Sequence, residues 1–120
     1  MSSARFAFGP YLFDGQRTLL FERGTPLSLG RRALALLDAL LTARGDVVSK
    51  SALIEAAWPS LYVEESNLTV QIAALRRRLG GSSRDEGWIA TFPRVGYRFA
   101  GRFSLEEDGR EAAGIAGRAT

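Results

Sequence analysis

The sequence predicts an α+β domain in which short strands come first, helices follow and a β-hairpin ends the fold. Turn-forming residues recur every few positions between Arg5 and Leu29, a spacing typical of short antiparallel strands. Three later stretches carry apolar residues at helical spacing, and two strand-like pieces come after them. With 120 residues, the chain is long enough for one compact core and a tail.

The segment from Arg5 to Leu29 is predicted to form a small antiparallel meander. Its apolar pieces read FAFGPY, LFD, TLLFE and LSL, with the breaks GQR and RGTP among them. Glycine and proline in such breaks favour turns over continued strands. We therefore expect several short strands before the first helix.

The first helix is predicted from about Arg31 to Ala43, over the run RRALALLDALLTA. The residues at helical spacing within it are Leu34, Leu37, Leu40 and Leu41. Gly45 follows as the expected carboxy-terminal cap, and we expect a buried central helix. Arg31 and Arg32 are interpreted as solvated helix surface.

A shorter second helix is predicted from an amino-terminal cap at Ser49 to Trp58, where Pro59 ends it. The segment LYVEES connects it to a third helix, which runs from Asn67 to Leu79. Two helices joined by a short segment form a helix-turn-helix candidate.

The third helix carries an apolar ridge on one side and a run of arginines at its end. Spacings of four, three and four residues place one stripe on the inner side, formed by Leu68, Ile72, Leu75 and Leu79. The opposite face has mainly short side chains and consists of Ser66, Val70, Ala73, Ala74 and Arg77, flanked by Arg76 and Arg78. A helix with such a face is suited to a DNA groove.

Two strand-like pieces, WIATF and VGYRFAG, are joined through Pro93 and Arg94 after the turn-rich segment GGSSRDEG. A hairpin behind a helix-turn-helix predicts a wing. Residues 102–120 become small and polar, and they are interpreted as a tail or linker, disordered or weakly helical. The predicted domain therefore covers residues 1–101.

The amino-acid composition excludes several kinds of functional site. Sixteen basic and thirteen acidic residues give a net charge of +3, and six arginines against two acids lie between Ser66 and Arg98. The chain has no cysteine and no histidine, which excludes disulfides, thiol nucleophiles and the usual zinc sites. Neither a signal peptide nor a long apolar span is visible, so we expect a cytoplasmic protein without membrane contact. No cofactor and no catalytic constellation are predicted.

Four strings resemble the OmpR/PhoB-type winged-helix DNA-binding domain over about residues 5–101, namely LSLGRRALALLDALL, GDVVSKSALIEAAWP, YVEESNLTVQIAALRRRLG and IATFPRVGYRF. The resemblance implies an amino-terminal four-stranded antiparallel sheet, three helices and a carboxy-terminal hairpin wing. It also implies a regulator of transcription, with the third helix as the recognition helix. Most relatives place a phosphoacceptor receiver domain first, whereas here the first strand is expected within a few residues of Met1. The chain is thus more similar to the subset that begins with the DNA-binding domain, and phosphorylation by a histidine kinase is not supported.

The resemblance also implies which residues bind the DNA backbone and the minor groove. Arg76, Arg77 and Arg78 would contact phosphates, with Arg77 best placed for the major groove; the alternative is a solvated helix end. Arg94 on the wing would enter the minor groove. Pro93 precedes it here, and many relatives have the arginine one position earlier.

Further contacts follow from the same resemblance. Thr91 would bond a phosphate, and so would the indole N–H of Trp58, for which burial in the core is the alternative. Bases would be read by a surface made of Ser66, Asn67, Val70, Gln71, Ala73 and Ala74. Asparagine and glutamine can bond adenine, and valine and alanine can touch thymine methyls. Relatives often carry basic or polar groups at Ala73 and Ala74, so readout here is either weak or based on methyl contacts and DNA shape.

The connection before the third helix contains Tyr62, Val63, Glu64 and Glu65. In relatives this loop can touch RNA polymerase, and a plain connector is the alternative reading. The two glutamates also suit the first turn of a helix, where negative charge is favourable.

The sequence therefore predicts a domain that binds double-stranded DNA as part of a transcriptional regulator, with two copies in head-to-tail order on half-sites about 10 base pairs apart. A winged helix that serves as a protein-interaction module is the alternative, because Ala73 and Ala74 leave a sparse recognition surface. An enzyme is a remote third possibility, since no catalytic group can be named.

Overall fold

The computed structural model describes residues 4–80 and 87–107, which contain eight strands and three helices. The strands are β1 Ala4–Phe8, β2 Tyr11–Asp14, β3 Leu19–Glu22, β4 Thr25–Pro26, β5 Val48–Ser49, β6 Ile89–Phe92, β7 Gly96–Phe99 and β8 Ser104–Glu107. The helices are α1 Arg31–Thr42, α2 Lys50–Ala57 and α3 Glu65–Leu79. The described elements divide into two compact units, residues 4–28 with 102–107, and residues 29–101 with a gap at 81–86.

The first unit is one antiparallel sheet with the strand order β4-β3-β2-β1-β8. The inner face of this sheet buries Phe6, Phe13 and Leu20, which oppose one another across β1, β2 and β3. Alternation of side chains along each strand produces this single apolar face. The predicted meander is therefore present as four strands.

A fifth strand corrects the prediction of a four-stranded sheet. Ser104–Glu107 pairs with β1, so that Leu105 lies opposite Phe6, and the ring of Phe103 lies 5.9 Å from that of Phe6. This strand falls in the segment that we interpreted as a disordered or weakly helical tail. The segment is mostly polar, but β1 supplies its backbone partner, and Leu105 and Phe103 supply apolar contacts near Phe6. Residues 108–120 of the predicted tail lie outside the described residues.

The turn between β2 and β3 is held by Asp14, whose side chain is only 12% exposed. Its carboxylate accepts hydrogen bonds from the backbone N–H groups of Gln16 and Arg17 and from the Arg17 guanidinium. Burial raises the pKa of Asp14, but these hydrogen bonds and the Arg17 charge more than compensate, so the pKa is lowered overall. A charged carboxylate is stable here because the turn supplies its donors.

The helices of the second unit agree with the predicted periodicity. The buried residues of α1 include Leu34, Leu37, Leu40 and Leu41, and those of α3 are Leu68, Ile72, Leu75 and Leu79. Ser49 caps α2 through its hydroxyl, which accepts from Ala52 N at 3.1 Å. Among the described helices, none is long and apolar enough to cross a membrane.

Two helix boundaries differ from the prediction. Ala43 is the cap of α1, because its N–H bonds back to Ala39 O, and the expected cap Gly45 lies two residues further on with φ +95°. At the other helix, α3 begins at Glu65, two residues before the predicted start, and Gly80 ends it in the left-handed conformation. Positive φ favours glycine at both positions.

The predicted wing is the hairpin of β6 and β7, and the short strand β5 pairs with the other side of β7. Gly96 permits this close approach, because a Cβ placed there would lie 1.9 Å from Val48 O. On the same strand, Arg98 Nε donates to Gly45 O at 2.9 Å and joins the hairpin to the turn after α1. The hairpin is thus joined to the segment after α1 by backbone pairing at Gly96 and by the side chain of Arg98.

Candidate nucleic-acid interface

The outer face of α3 consists of exposed and half-buried residues. Val70 is 61% exposed, and Ser66, Asn67 and Arg77 are also exposed. The remaining predicted surface residues Gln71, Ala73 and Ala74 are half-buried. Because alanines have short side chains, a partner can approach the helix backbone closely at the middle of this face.

The first turn of α3 holds its polar side chains loosely. Asn67 Nδ2 donates to Glu64 O at 3.4 Å, and Thr69 Oγ1 donates to Glu65 O at the same distance. Both contacts are at the long limit for a hydrogen bond. The Asn67 amide can therefore exchange this contact for one with a bound partner.

Arg76 has a different environment from its two neighbours. Its Nε and Nη2 donate to Ile89 O at 3.2 and 2.9 Å, Nη2 also donates to Thr91 Oγ1 at 2.7 Å, and the guanidinium lies 5.7 Å from the Tyr97 ring centroid. The sequence predicts that Arg76 flanks the DNA-binding face and contacts a phosphate. The structure instead makes it the link between α3 and the hairpin.

Thr91 is drawn into the same link. Its hydroxyl oxygen accepts the Arg76 hydrogen bond, and its side chain is half-buried. A hydroxyl that accepts can still donate its own proton. The structure thus places Thr91 directly beside the Arg76 guanidinium, and its phosphate contact stays a prediction.

Arg77 and Arg78 lie exposed at the end of α3. Cations in the last turn of a helix are favoured by the helix dipole, so these positions suit arginine even without a partner. They form a basic end to the short-chained face. Arg84, which contributed to the basic segment in the sequence, lies outside the described residues.

Arg94 occupies the tip of the hairpin in the left-handed conformation, with φ 68°. The turn is closed by a hydrogen bond from Val95 N to Phe92 O at 3.0 Å. Phe92 is 41% exposed and Val95 is 54% exposed, so the tip is both apolar and cationic. Positive φ is uncommon for a residue with a side chain and is found mostly in turns such as this one.

Trp58 lies in the core, with 8% of its surface exposed. The guanidinium of Arg32 lies 5.9 Å from its ring centroid, and Arg32 Nη1 donates to Ala57 O at 2.6 Å. Trp58 is thus buried, as the core alternative predicts, and its phosphate contact stays an untested prediction. The structure also corrects the interpretation of Arg32 as solvated surface, because this side chain satisfies a carbonyl at the end of α2.

The connection between α2 and α3 exposes large apolar side chains. Tyr62 is 90% exposed and Leu61 is 56% exposed, followed by half-buried Val63 and exposed Glu64. Glu65, which we assigned to this loop, is the first residue of α3. The loop therefore presents an aromatic group next to negative charge.

Lys50 is a residue of this region that our sequence interpretation missed. It is the first residue of α2, and its Nζ lies 2.5 Å from Glu65 Oε2 on α3. The only sequence feature that could have drawn attention to Lys50 is its position directly after the capping Ser49. Its partner could not be identified from the sequence because fifteen residues separate the two.

Within residues 4–80 and 87–107, no group of three or more acidic, histidine or cysteine side chains is arranged to hold a metal ion. The candidate site consists instead of the α3 face, the exposed arginines and the hairpin tip. Such a surface can make hydrogen bonds, apolar contacts and ion pairs with a polyanion.

Comparison with known proteins identifies similar chains. The family model described as "Transcriptional regulatory protein, C terminal" matches residues 24–99. The transcriptional regulator HilA of Salmonella typhimurium is 32% identical over 99 residues, which cover 82% of this chain and 18% of HilA. The transcriptional regulatory protein CutR of Streptomyces coelicolor is 34% identical over 86 residues, 71% of this chain and 38% of CutR. The chain thus spans about a fifth of HilA and under half of CutR.

Solved structures share the fold. The DNA-binding domain of CadC from E. coli superposes with a TM-score of 0.70 and 25% identity, covering 87% of this chain and 98% of that domain. The DNA-binding domain of Klebsiella pneumoniae RstA, in complex with the RstA box, gives a TM-score of 0.68 at 24% identity, covering 80% of this chain and 96% of that one.

Proposed function

The chain belongs to the OmpR/PhoB-type family of transcriptional regulatory proteins, and we propose that it binds double-stranded DNA in a sequence-specific manner with α3 in the major groove. The observation that carries this proposal is the exposed, short-chained face of α3, which ends in Arg77 and Arg78. An α-helix of this kind fits the width of the major groove, and the arginines contact phosphates at its rim. The role is one of binding without catalysis, in agreement with relatives that are transcriptional regulators.

Base readout is assigned to the exposed and half-buried residues of the α3 face. Asn67 and Gln71 can bond adenine, while Val70, Ala73 and Ala74 can contact thymine methyl groups. Val70 supports this assignment most directly, because an apolar side chain 61% exposed in the middle of the face is suited to a methyl partner. Ser66 at the start of the helix contributes a hydroxyl to a base or phosphate.

The wing is assigned to the neighbouring minor groove. Arg94 lies exposed at the tip of the hairpin, close in sequence to the exposed apolar residues Phe92 and Val95. A narrow minor groove attracts such an arginine through its negative potential. Thr91 would donate its hydroxyl to a phosphate, while Arg76 keeps the hairpin at a fixed position relative to α3.

Three further assignments complete the proposal. Two copies would bind head to tail on adjacent half-sites, because one domain contacts only one such half-site. The exposed Tyr62 and the carboxylate of Glu64 would form a contact for RNA polymerase. We assign the domain to the bacterial cytoplasm because its DNA target lies there.

A protein-interaction module is the second candidate, favoured by the alanines at the centre of the α3 face. In this case the exposed Val70, Leu61 and Tyr62 would contact a protein partner. This alternative expects weak, salt-sensitive DNA binding without sequence preference. It also expects no effect when Arg77 is replaced.

The test is selection of binders from a random pool of duplex DNA at near-physiological salt, followed by affinity measurements on Arg77→Ala and Arg94→Ala. We expect an enriched motif and a loss of about 1–3 kcal/mol for a variant that loses a base contact. Arg23→Ala serves as the control, because Arg23 is an exposed arginine of the first unit. No enrichment, with unchanged binding by both variants, would contradict the proposal.

A further inference from the structure

Lys50 and Glu65 form an ion pair that joins the first residues of α2 and α3. Lys50 Nζ lies 2.5 Å from Glu65 Oε2, and the Lys50 side chain is 28% exposed against 59% for Glu65. The backbone N–H of Lys50 donates to Val95 O at 3.1 Å, which fixes its main chain to the turn of the hairpin. The Lys50 ammonium therefore has a defined position at the start of α3.

Charge is distributed unevenly along α3. The last turn carries Arg76, Arg77 and Arg78, whereas the first turn carries Glu65, with Glu64 directly before it. Arg77 follows Glu65 by twelve residues, which is about 18 Å along a helix. This distance exceeds the Debye length of about 8 Å at physiological salt. The arginines thus offset little of the acidic charge, and Lys50 is the partner that Glu65 has in the structure.

We propose that Glu65 competes with a DNA phosphate for Lys50 and thereby limits the affinity of the domain for DNA. The inference rests on the proposed function, in which α3 lies in a groove bordered by phosphates. A phosphate oxygen offers an ammonium the same charge-assisted hydrogen bond as a carboxylate. When DNA binds, Lys50 exchanges one anion for the other, and the released Glu65 carboxylate faces the phosphate backbone.

Lys50 can exchange Glu65 for a phosphate because the Glu65 side chain is largely exposed. Neither charge is fully buried, so neither needs the other as a partner. Exposed ion pairs contribute little to stability, so the loss of this one leaves the helices in place. The Glu65 carboxylate lowers the affinity for DNA in two ways. It must first be displaced from Lys50, and after displacement it repels the phosphates. Neutralising Glu65 should remove both effects.

The experiment compares the affinity of the 120-residue chain and its variants for a fluorescein-labelled duplex of mixed sequence, about three helical turns long, at about 0.15 M salt. We expect Glu65→Gln to bind about fivefold more tightly. Glu64→Gln is the matched control, because it removes a neighbouring carboxylate outside the ion pair, and it should change affinity by less than about twofold. When Lys50 is already replaced by glutamine, Glu65→Gln should raise the affinity for DNA no more than Glu64→Gln does.

Several outcomes would overturn the inference. Weaker DNA binding by Glu65→Gln would show that the pair orients α3 instead of withholding Lys50. An equal gain in the Lys50 and Lys50→Gln backgrounds would show general charge repulsion without competition. A lower unfolding midpoint of Glu65→Gln would show that the fold requires the pair. If the wild-type chain bound no duplex even at low salt, the proposed function itself would fail.

Discussion

At the scale of the residue, three consecutive arginines at the end of α3 have two distinct roles. Arg76 follows Ile72 by four positions and precedes Leu79 by three, so it stands beside the buried ridge. Its guanidinium reaches Ile89 O and Thr91 Oγ1 on the hairpin, whereas Arg77 and Arg78 are exposed. The helical spacing alone could have predicted that Arg76 differs from Arg77 and Arg78. Its acceptors depend on how the hairpin folds back, which the spacing does not show.

The contrast leads to a prediction for stability. Arg76→Leu should lower the free energy of unfolding by about 1–3 kcal/mol, because Ile89 O loses a charged donor at the edge of β6. Arg77→Leu, the neighbouring exposed arginine, should change it by less than about 0.5 kcal/mol. Urea unfolding of both variants, followed by circular dichroism, measures the difference. Equal and small effects would mean that the hydrogen bonds of Arg76 contribute nothing to the fold.

Among the secondary-structure elements, those with a local repeat of apolar residues could be predicted from the sequence. Short strands that pair with distant segments could not. The helices follow from leucine spacing, and the Ser49 cap follows from the residue type at a helix start. The fifth strand was missed because Ser104–Glu107 is polar and gains its order from pairing with Ala4–Phe8, a hundred residues earlier. The strand β5 was also missed, because only two of its residues pair with β7, which lies far away in the sequence.

The β5–β7 contact depends on the absence of a side chain at Gly96. Gly96→Ala should destabilise the domain by more than about 2 kcal/mol, because the added Cβ would lie 1.9 Å from Val48 O and separate the strands. Gly30→Ala is the matched control, because nothing lies within 4 Å of a Cβ at the cap of α1. Its cost should be about 0.5–1 kcal/mol, because alanine is a poorer helix N-cap than glycine. Unfolding midpoints that fall equally in both variants would contradict the importance of the close approach.

At the scale of the whole molecule, charge alone does not identify the function. A net charge of +3 is modest, and the acids Glu64 and Glu65 stand next to the proposed DNA surface. A single copy thus has few cations with which to neutralise phosphates, and its affinity should be correspondingly low. Binding of two copies to one duplex raises the effective concentration of the second site. We therefore expect the proposed head-to-tail arrangement to raise the affinity for DNA.

This arrangement predicts a strict dependence on the spacing of the two half-sites. Once a motif is selected, two copies placed about 10 base pairs apart should bind cooperatively, because both domains then lie on the same side of the duplex. Insertion of about five base pairs rotates one site by half a helical turn and should abolish the cooperativity, while insertion of about ten keeps the sites in helical register. Titrations of the three duplexes at equal salt measure the effect. Identical binding curves for all three would mean that the domains bind as independent monomers, and affinity would then have to come from contacts that a second copy does not supply.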